Sequence, residues 1–328
     1  MKISKVSHFF PQQIKKIDRF SFENDLDYQH HQRFVGTRQL HLSEIGTTGS
    51  DLALEAAKRL LRQIPKQHID FLIFSSLTLD YKTPTTASVL HRALGLKNSC
   101  GVLDIPSGCA AFPTALALAN GFFLSGSAKC ILIVLGEVPS QAVDPQDPSL
   151  RNLMSDAGVA VIVEPSTNPS HFVFGNDGEG FDYLKVEQGG ARFPFTEDYL
   201  KANLHQPQLN RFGTIAMDGQ GILKMTLKNV PTAIHELLRL YQYDLAEIDY
   251  YLFHQGSNIL LEALGRKMKV PESKMLNFLA VYGNTVSCSI PLAWYHAEKE
   301  GIFHSGDKIL CMGFGVGFSW SGTILHYP

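Results

Sequence analysis

The chain has 328 residues, 45% hydrophobic and 18% charged, enough apolar material for one large or two intimately joined domains. Its formal charge of −2 and isoelectric point near 6.7 provide no broad positive field for nucleic acid or an anionic membrane, so a charged partner must be met by a local patch. Five cysteines without CxxC or HExxH spacing, a first ten residues unlike a secretion signal and no apolar run of membrane-spanning length exclude a metal site or disulfide framework and predict a soluble, cytoplasmic protein without membrane insertion.

Residues 1–50 open with a short strand and a polar segment containing Arg33-Phe-Val-Gly-Thr-Arg38. Over residues 52–62, apolar positions recur at helical spacing and Pro65 follows, which predicts an amphipathic helix. Residues 69–76 then form a continuous apolar run with the character of a buried strand. A helix at 87–94, a strand at 101–105, a helix from Ala110 to Ser125, and strands at 130–135 and 159–163 continue the alternation, the pattern of a parallel α/β layer. Cys109 lies where the apolar strand stops and the Ala- and Leu-rich helix begins, with Pro113 tolerable in its first turn. Unpaired amides and the macrodipole at such a position predict a thiol acidified below its ordinary range, fit to act as a nucleophile; the alternative is a buried structural cysteine.

Residues 165–220 are rich in Gly, Pro, Asn and Asp and read as a loop-rich connection, with Phe172-Val-Phe174 as an edge strand. From Met225 the alternation returns and repeats the first half. Ile69-Asp-Phe-Leu-Ile-Phe74 is echoed by Ile248-Asp-Tyr-Tyr-Leu-Phe253, and Asp70 to Asp249 spans the same 179 positions as Lys129 to Lys308. A shared offset predicts duplication, with residues 1–170 carrying the nucleophile and residues 171–328 forming the second half about an approximate twofold axis. Applied to Cys109, the offset lands on Cys288.

Three stretches of the second half qualify as partners of Cys109. His254 follows the strand ending at Phe253, where polar groups of such folds line clefts. Asn284 follows Gly283 at a turn leading into an apolar helix; its alternative role is a turn former or helix cap. Met312-Gly-Phe-Gly-Val-Gly-Phe-Ser-Trp320 lies between two strand-like segments without a following helix or GxGxxG spacing, which excludes a nucleotide fingerprint and predicts a tight loop bringing backbone N–H groups to a site.

In these contexts Cys109, His254, Asn284 and Gly313-Phe-Gly-Val-Gly317, with Thr83-Pro-Thr-Thr-Ala87, Asp156-Ala-Gly158 and Tyr282-Gly-Asn-Thr285 in the expected order, resemble the β-ketoacyl-acyl carrier protein synthase III family over nearly the whole chain. The resemblance implies a thiolase fold of five αβαβα layers from two duplicated halves, and a homodimer. It implies that Cys109 attacks an acyl thioester and holds the acyl group. A malonyl thioester then loses carbon dioxide, while His254 and Asn284 donate hydrogen bonds to the enolate oxygen. The family's acyl oxyanion is met by backbone N–H groups, here of Cys109 and Val316. Ser257, Gly315 and Gly317 fall among substrate-binding positions, and Thr83 where a residue reaches the partner's acyl pocket. Lys224, Arg266 and Lys267, with Lys269 assisting, fall where basic residues receive the acidic carrier protein.

Several positions depart from the family pattern. Val316 replaces a usual Gly, Ser257 a usual Asn and Ile259 a usual Arg, and no Trp precedes Gly36-Thr-Arg38 to stack on coenzyme A adenine. These differences leave coenzyme A, carrier-protein and unusual donors all open, and allow a specialised lipid or polyketide pathway. Coenzyme A or phosphopantetheine thioesters are expected as substrates, with no resident cofactor and no metal. The competing readings are an acyltransferase or thioester hydrolase that forms no carbon–carbon bond, and a non-catalytic binding subunit.

Overall fold

The computed structural model describes residues 1–206 and 209–328; Pro207 and Gln208, within the connection expected at 165–220, lie outside the described residues. Two mixed sheets carry the fold. The first has the order Lys2–Phe9, Ala157–Glu164, Ile131–Glu137, Phe71–Ser75, Gly101–Asp104. Phe71–Ser75 runs parallel to both of its neighbours, with Phe71 opposite Gly101 on one side and Ile131 on the other. Ala157–Glu164 is antiparallel to Ile131–Glu137 and to Lys2–Phe9, so the expected all-parallel layer is corrected. An antiparallel strand needs no helical crossover, and residues 138–156 return the chain without a long helix.

The second sheet repeats this plan in the order Tyr250–Phe253, Lys308–Gly315, Ser319–His326, Phe172–Asn176. Its first pair is parallel and the others antiparallel, and Met275 bridges to Tyr251 where Gly101–Asp104 stands in the first sheet. Phe172–Asn176 is the edge strand expected near residue 172.

Helices Ala111–Leu124 and Ser289–Lys299 lie between the sheets. Phe112, Leu116, Ile290 and Trp294 pack there with Ile133 and Val159 of one sheet and Leu252 and Ile309 of the other. A helix covered on both sides needs apolar residues around most of its circumference, and Ala-Phe-Pro-Thr-Ala-Leu-Ala-Leu-Ala supplies them. Gly49–Leu60 and Thr86–Leu94 cover the outside of the first sheet; Gly219–Tyr241 and Asn258–Met268 cover the second. The result is a five-layered αβαβα thiolase fold. The 23-residue helix Gly219–Tyr241 begins six residues before the point at which regular structure was expected to return. Gly219 and Gly221 read locally as loop, but the Asp218 carboxylate accepts from Gln220 and Gly221 N–H and caps the helix start.

Backbone geometry corrects the register of the duplication around the nucleophile. Gly108 has φ +52° and Val286 φ +53°, and each opens a short 3-10 turn leading into a central helix with proline in its third position. Ser107 and Thr285 before them both have φ −101°. This local offset is 178 positions, one fewer than in the first strands, so the second half is one residue shorter between those strands and the turns. The offset persists in the next strands, where Asp70 N–H donates to Cys130 O and Asp249 N–H to Lys308 O, so the counterpart of Lys308 is Cys130 and not Lys129. The counterpart of Cys109 is therefore Ser287, not Cys288.

Candidate active site

A cavity of about 670 Å³ opens at the strand ends and is lined by Cys109, His254 and Asn284 together with Phe314, Gly315 and Val316. Leu153, Met154, Ile215, Met217, Ile222 and Leu223 make much of its wall apolar. The space suits a long apolar chain that ends at a polar reacting group.

Cys109 arrives from strand Gly101–Asp104. The Asp104 carboxylate accepts Thr86 N–H at 2.7 Å and Ala87 N–H at 2.8 Å, tying the start of helix Thr86–Leu94 to the strand end that feeds the nucleophile loop. Gly108 occupies the left-handed region, where a side chain would also approach Val316 Cγ2 at 3.2 Å. Cys109 is only 5% exposed. Burial and then the negative field of Glu137 push its thiol up to about 12, against hydrogen bonding from Val316 N–H and its own N–H. The expected acidification of the free thiol is therefore corrected: loss of solvent outweighs the favourable helix-start position. The two N–H groups nevertheless act at the sulfur, beside the position that the carbonyl oxygen of a bound acyl group would take. Val316 needs no left-handed backbone to do this; the positive φ values fall on Gly315 at +157° and Gly317 at +121°.

His254 extends strand Tyr250–Phe253, its N–H donating to Met312 O at 2.9 Å. Its Nδ1 lies 2.8 Å from Ser289 Oγ. Burial holds the imidazole down at about 4, so it is neutral at physiological pH. Ser289 Oγ also lies 2.9 Å from Val286 O, a carbonyl already served by Ser289 N–H. The hydroxyl donates to that carbonyl; in the tautomer that carries the imidazole proton on Nε2 it turns to donate to Nδ1 instead. A Cβ built on neighbouring Gly256 would lie 3.7 Å from Nε2, so the glycine keeps that side open.

Asn284 has its amide orientation set by the chain around it. Val286 N–H donates to Oδ1 at 3.0 Å and Nδ2 donates to Gly256 O at 3.4 Å, so the amino end is the one beside the cavity. Gly283, at φ +66°, makes the turn; a Cβ there would lie 2.6 Å from Leu40 Cδ2. Asn284 thus closes an Asx turn through Oδ1, the turn-forming role, while its amino group is turned toward Gly256 O.

The remaining predicted positions divide. Ser257, Ile259 and Gly315 line the cavity, whereas Gly317 is not among its lining residues. Thr83 is exposed before Pro84 and does not line the cavity of its own chain. Lys224 is exposed on helix Gly219–Tyr241, and Arg266 and Lys267 on the last turn of Asn258–Met268, with Lys269 as its C-cap; the two helices pack together. Sequence reasoning missed Ser289, whose contact with His254 spans 35 positions. It also missed Phe314, whose ring stands edge-on to His254 at 6.0 Å. Buried Glu137 was missed as well, although a charged residue closing the run Ile-Leu-Ile-Val-Leu-Gly-Glu was a visible anomaly.

Comparison with known proteins gives a consistent result. Residues 103–178 match the family model described as 3-oxoacyl-[acyl-carrier-protein (ACP)] synthase III, and residues 238–327 match its C-terminal counterpart. The chain is 32% identical to β-ketoacyl-[acyl-carrier-protein] synthase III 2 of Staphylococcus epidermidis, covering 99% of this chain and 98% of that protein. Among solved structures, a 3-oxoacyl-(acyl-carrier-protein) synthase III superposes with a TM-score of 0.91 at 30% identity, over 99% of both chains. A 3-oxoacyl-(acyl-carrier protein) synthase from Burkholderia xenovorans gives 0.88 at 31% identity, over 99% of this chain and 93% of that one.

Proposed function

The chain belongs to the 3-oxoacyl-[acyl-carrier-protein] synthase III family, and from that premise we propose how its cavity carries out the family's reaction. It is an acyltransferase-type condensing enzyme that joins an acyl primer to malonyl-acyl carrier protein with loss of carbon dioxide. Cys109 Sγ attacks the primer thioester carbonyl, and the N–H groups of Cys109 and Val316 hold the tetrahedral oxyanion. Collapse forms the acyl-Cys109 thioester and breaks the donor's carbon–sulfur bond; the donor thiol leaves with the proton that Cys109 gives up. The malonyl thioester then breaks its bond to the carboxylate, releasing carbon dioxide and leaving the electron pair as an enolate. His254 Nε2–H and Asn284 Nδ2 donate to that enolate oxygen. Its carbon attacks the acyl-Cys109 carbonyl, forms the new carbon–carbon bond and expels the Cys109 thiolate, which is reprotonated for the next turnover.

The convergence of Cys109, two backbone N–H groups, His254 and a directed Asn284 amide on one cavity carries this reading. The roles extend to partners. Lys185 is the one cation among the described residues lining the cavity, and it is held by Asp182 at 2.9 Å and Glu187 at 3.2 Å. This supports a carrier-borne donor over one whose nucleotide phosphates need cations. The phosphopantetheine arm enters as part of the substrate, so no resident cofactor is required. Lys224, Arg266, Lys267 and Lys269 receive the acidic carrier. The exposed apolar side chains of Leu77, Leu79 and Tyr81, in the segment that leads to Thr83, support a homodimer in which Thr83 reaches the partner's acyl pocket. Five unpaired, buried cysteines suit a reducing cytoplasm.

Intact-mass measurement after incubation with a panel of acyl thioesters, then with malonyl-carrier protein, tests the reading. A single acyl adduct on Cys109 that disappears as carbon dioxide and β-ketoacyl product form is expected. Acylation persisting in Cys109→Ala would refute the nucleophile assignment.

A further inference from the structure

The two halves differ at one pair of positions that bears on the nucleophile. In the second half, strand Lys308–Gly315 ends at Gly315. A Cβ there would lie 2.9 Å from Cys109 Sγ, so the glycine keeps the space over the sulfur clear for a thioester. The matching strand of the first half, Ile131–Glu137, ends 178 positions earlier at Glu137. There a carboxyl fills the corresponding space over Ser287, the counterpart of Cys109. Ser287 Oγ donates to Glu137 Oε1 at 2.5 Å and Leu77 N–H donates to Oε2 at 3.1 Å. Glu137 and Ser287 are each 1% exposed. One half of the duplication therefore has an open nucleophile site, and in the other a glutamate closes it.

The turns Gly108–Ala110 and Val286–Cys288 pack against each other, so the closed pair backs onto the open one. The field of Glu137 reaches both Cys109 and Cys288. Without intervening solvent, two like charges in such an arrangement are screened far less than at a surface. We propose that Glu137 is a positioning residue for the nucleophile, its buried carboxylate opposing formation of the Cys109 thiolate and so setting the pH at which Cys109 becomes reactive.

The groups bearing on Glu137 from neighbouring elements fit this role. Burial chiefly, and Asp156 to a smaller extent, raise its carboxyl to about 7; the Ser287 hydroxyl, Leu77 N–H and Ser287 N–H act the other way. Below that pH the carboxyl is neutral and exerts no opposing charge. Above it the carboxylate is present throughout the range in which the thiol must ionise, so thiolate formation is delayed to higher pH.

The inference takes only the identity of the nucleophile from the proposed function. Alkylation needs neither an acyl donor nor malonyl-carrier protein, so its outcome is separate from that of the condensation assay. The rate of iodoacetamide modification at Cys109, read by peptide mass over about pH 6 to 11, should climb along the rising limb of a titration curve in the parent protein, whose midpoint lies above that range. In Glu137→Gln, which keeps an acceptor for Leu77 N–H, the curve should move to lower pH. Each unit of displacement multiplies the thiolate fraction below the midpoint about tenfold, so a half-unit displacement gives about threefold faster modification near pH 8. A curve that superimposes on the parent's, or moves to higher pH, overturns the proposal. Ser287→Ala is the second arm should the glutamine variant fail to fold. Loss of the hydroxyl donor raises the pH at which Glu137 ionises, so Cys109 modification near pH 7 should quicken; an unchanged or slower rate overturns the proposal.

Discussion

Asn284 holds two jobs that substitution can separate. Its Oδ1 accepts Val286 N–H at 3.0 Å while its Nδ2 faces the cavity. Asn284→Ala removes both groups. Loss of a donor to the developing enolate is expected to cost about 3 kcal/mol, roughly a hundredfold or more in decarboxylation rate. Leaving the Val286 N–H without its acceptor should lower stability by about 1–3 kcal/mol as well. Asn284→Asp keeps an acceptor for Val286 N–H but replaces the amino donor with an oxygen. It should therefore retain more of the fold's stability while losing decarboxylation at least as severely. Carbon dioxide release from malonyl-carrier protein reports the donor; urea unfolding reports the acceptor; self-acylation by a short thioester should survive in both variants. Parental decarboxylation by Asn284→Asp would show that the amino group does not stabilise the enolate, and the mechanism would fail at that step.

Ser289→Ala removes the hydroxyl that holds Nδ1 of His254, and should slow decarboxylation and change its pH profile, while Ser289→Thr restores both; an unaltered profile in the alanine variant would leave Ser289 no influence on the imidazole. Charge reversal at Arg266 and Lys267 should raise KM for carrier-bound substrate, less so at high salt, with a small free thioester unaffected. Equal losses for both substrates would place the damage in the site or fold. Thr83→Phe should shift acyl preference toward short chains by filling pocket volume in the partner subunit. An unchanged chain-length profile would remove Thr83 from the pocket, and a monomer by light scattering would remove the cross-subunit arrangement.

Much of the site was legible because its signals are local. Cys109 stands at an abrupt strand-to-helix change, His254 closes an apolar strand, and Asn284 follows a glycine at a turn; each signal lies within a few neighbouring residues. The internal echo carried the duplication for the same reason, since a buried strand keeps its apolar run in both copies. Strand direction was not legible, because alternation and apolar runs look alike in parallel and antiparallel strands. Nor was the start of Gly219–Tyr241, where two glycines read as loop until Asp218 is seen capping them. Only the tertiary structure decided the ionisation of Cys109. Its helix-start position predicts an acidic thiol, but the strands and turns packed over it exclude water and set Glu137 behind it, and the thiol rises to about 12. Two buried hydrogen-bonded pairs beside the site, Ser289 with His254 and Ser287 with Glu137, join residues 35 and 150 positions apart. Periodicity reports how a segment faces its immediate surroundings; desolvation and hydrogen bonding depend on which distant segment those surroundings turn out to be.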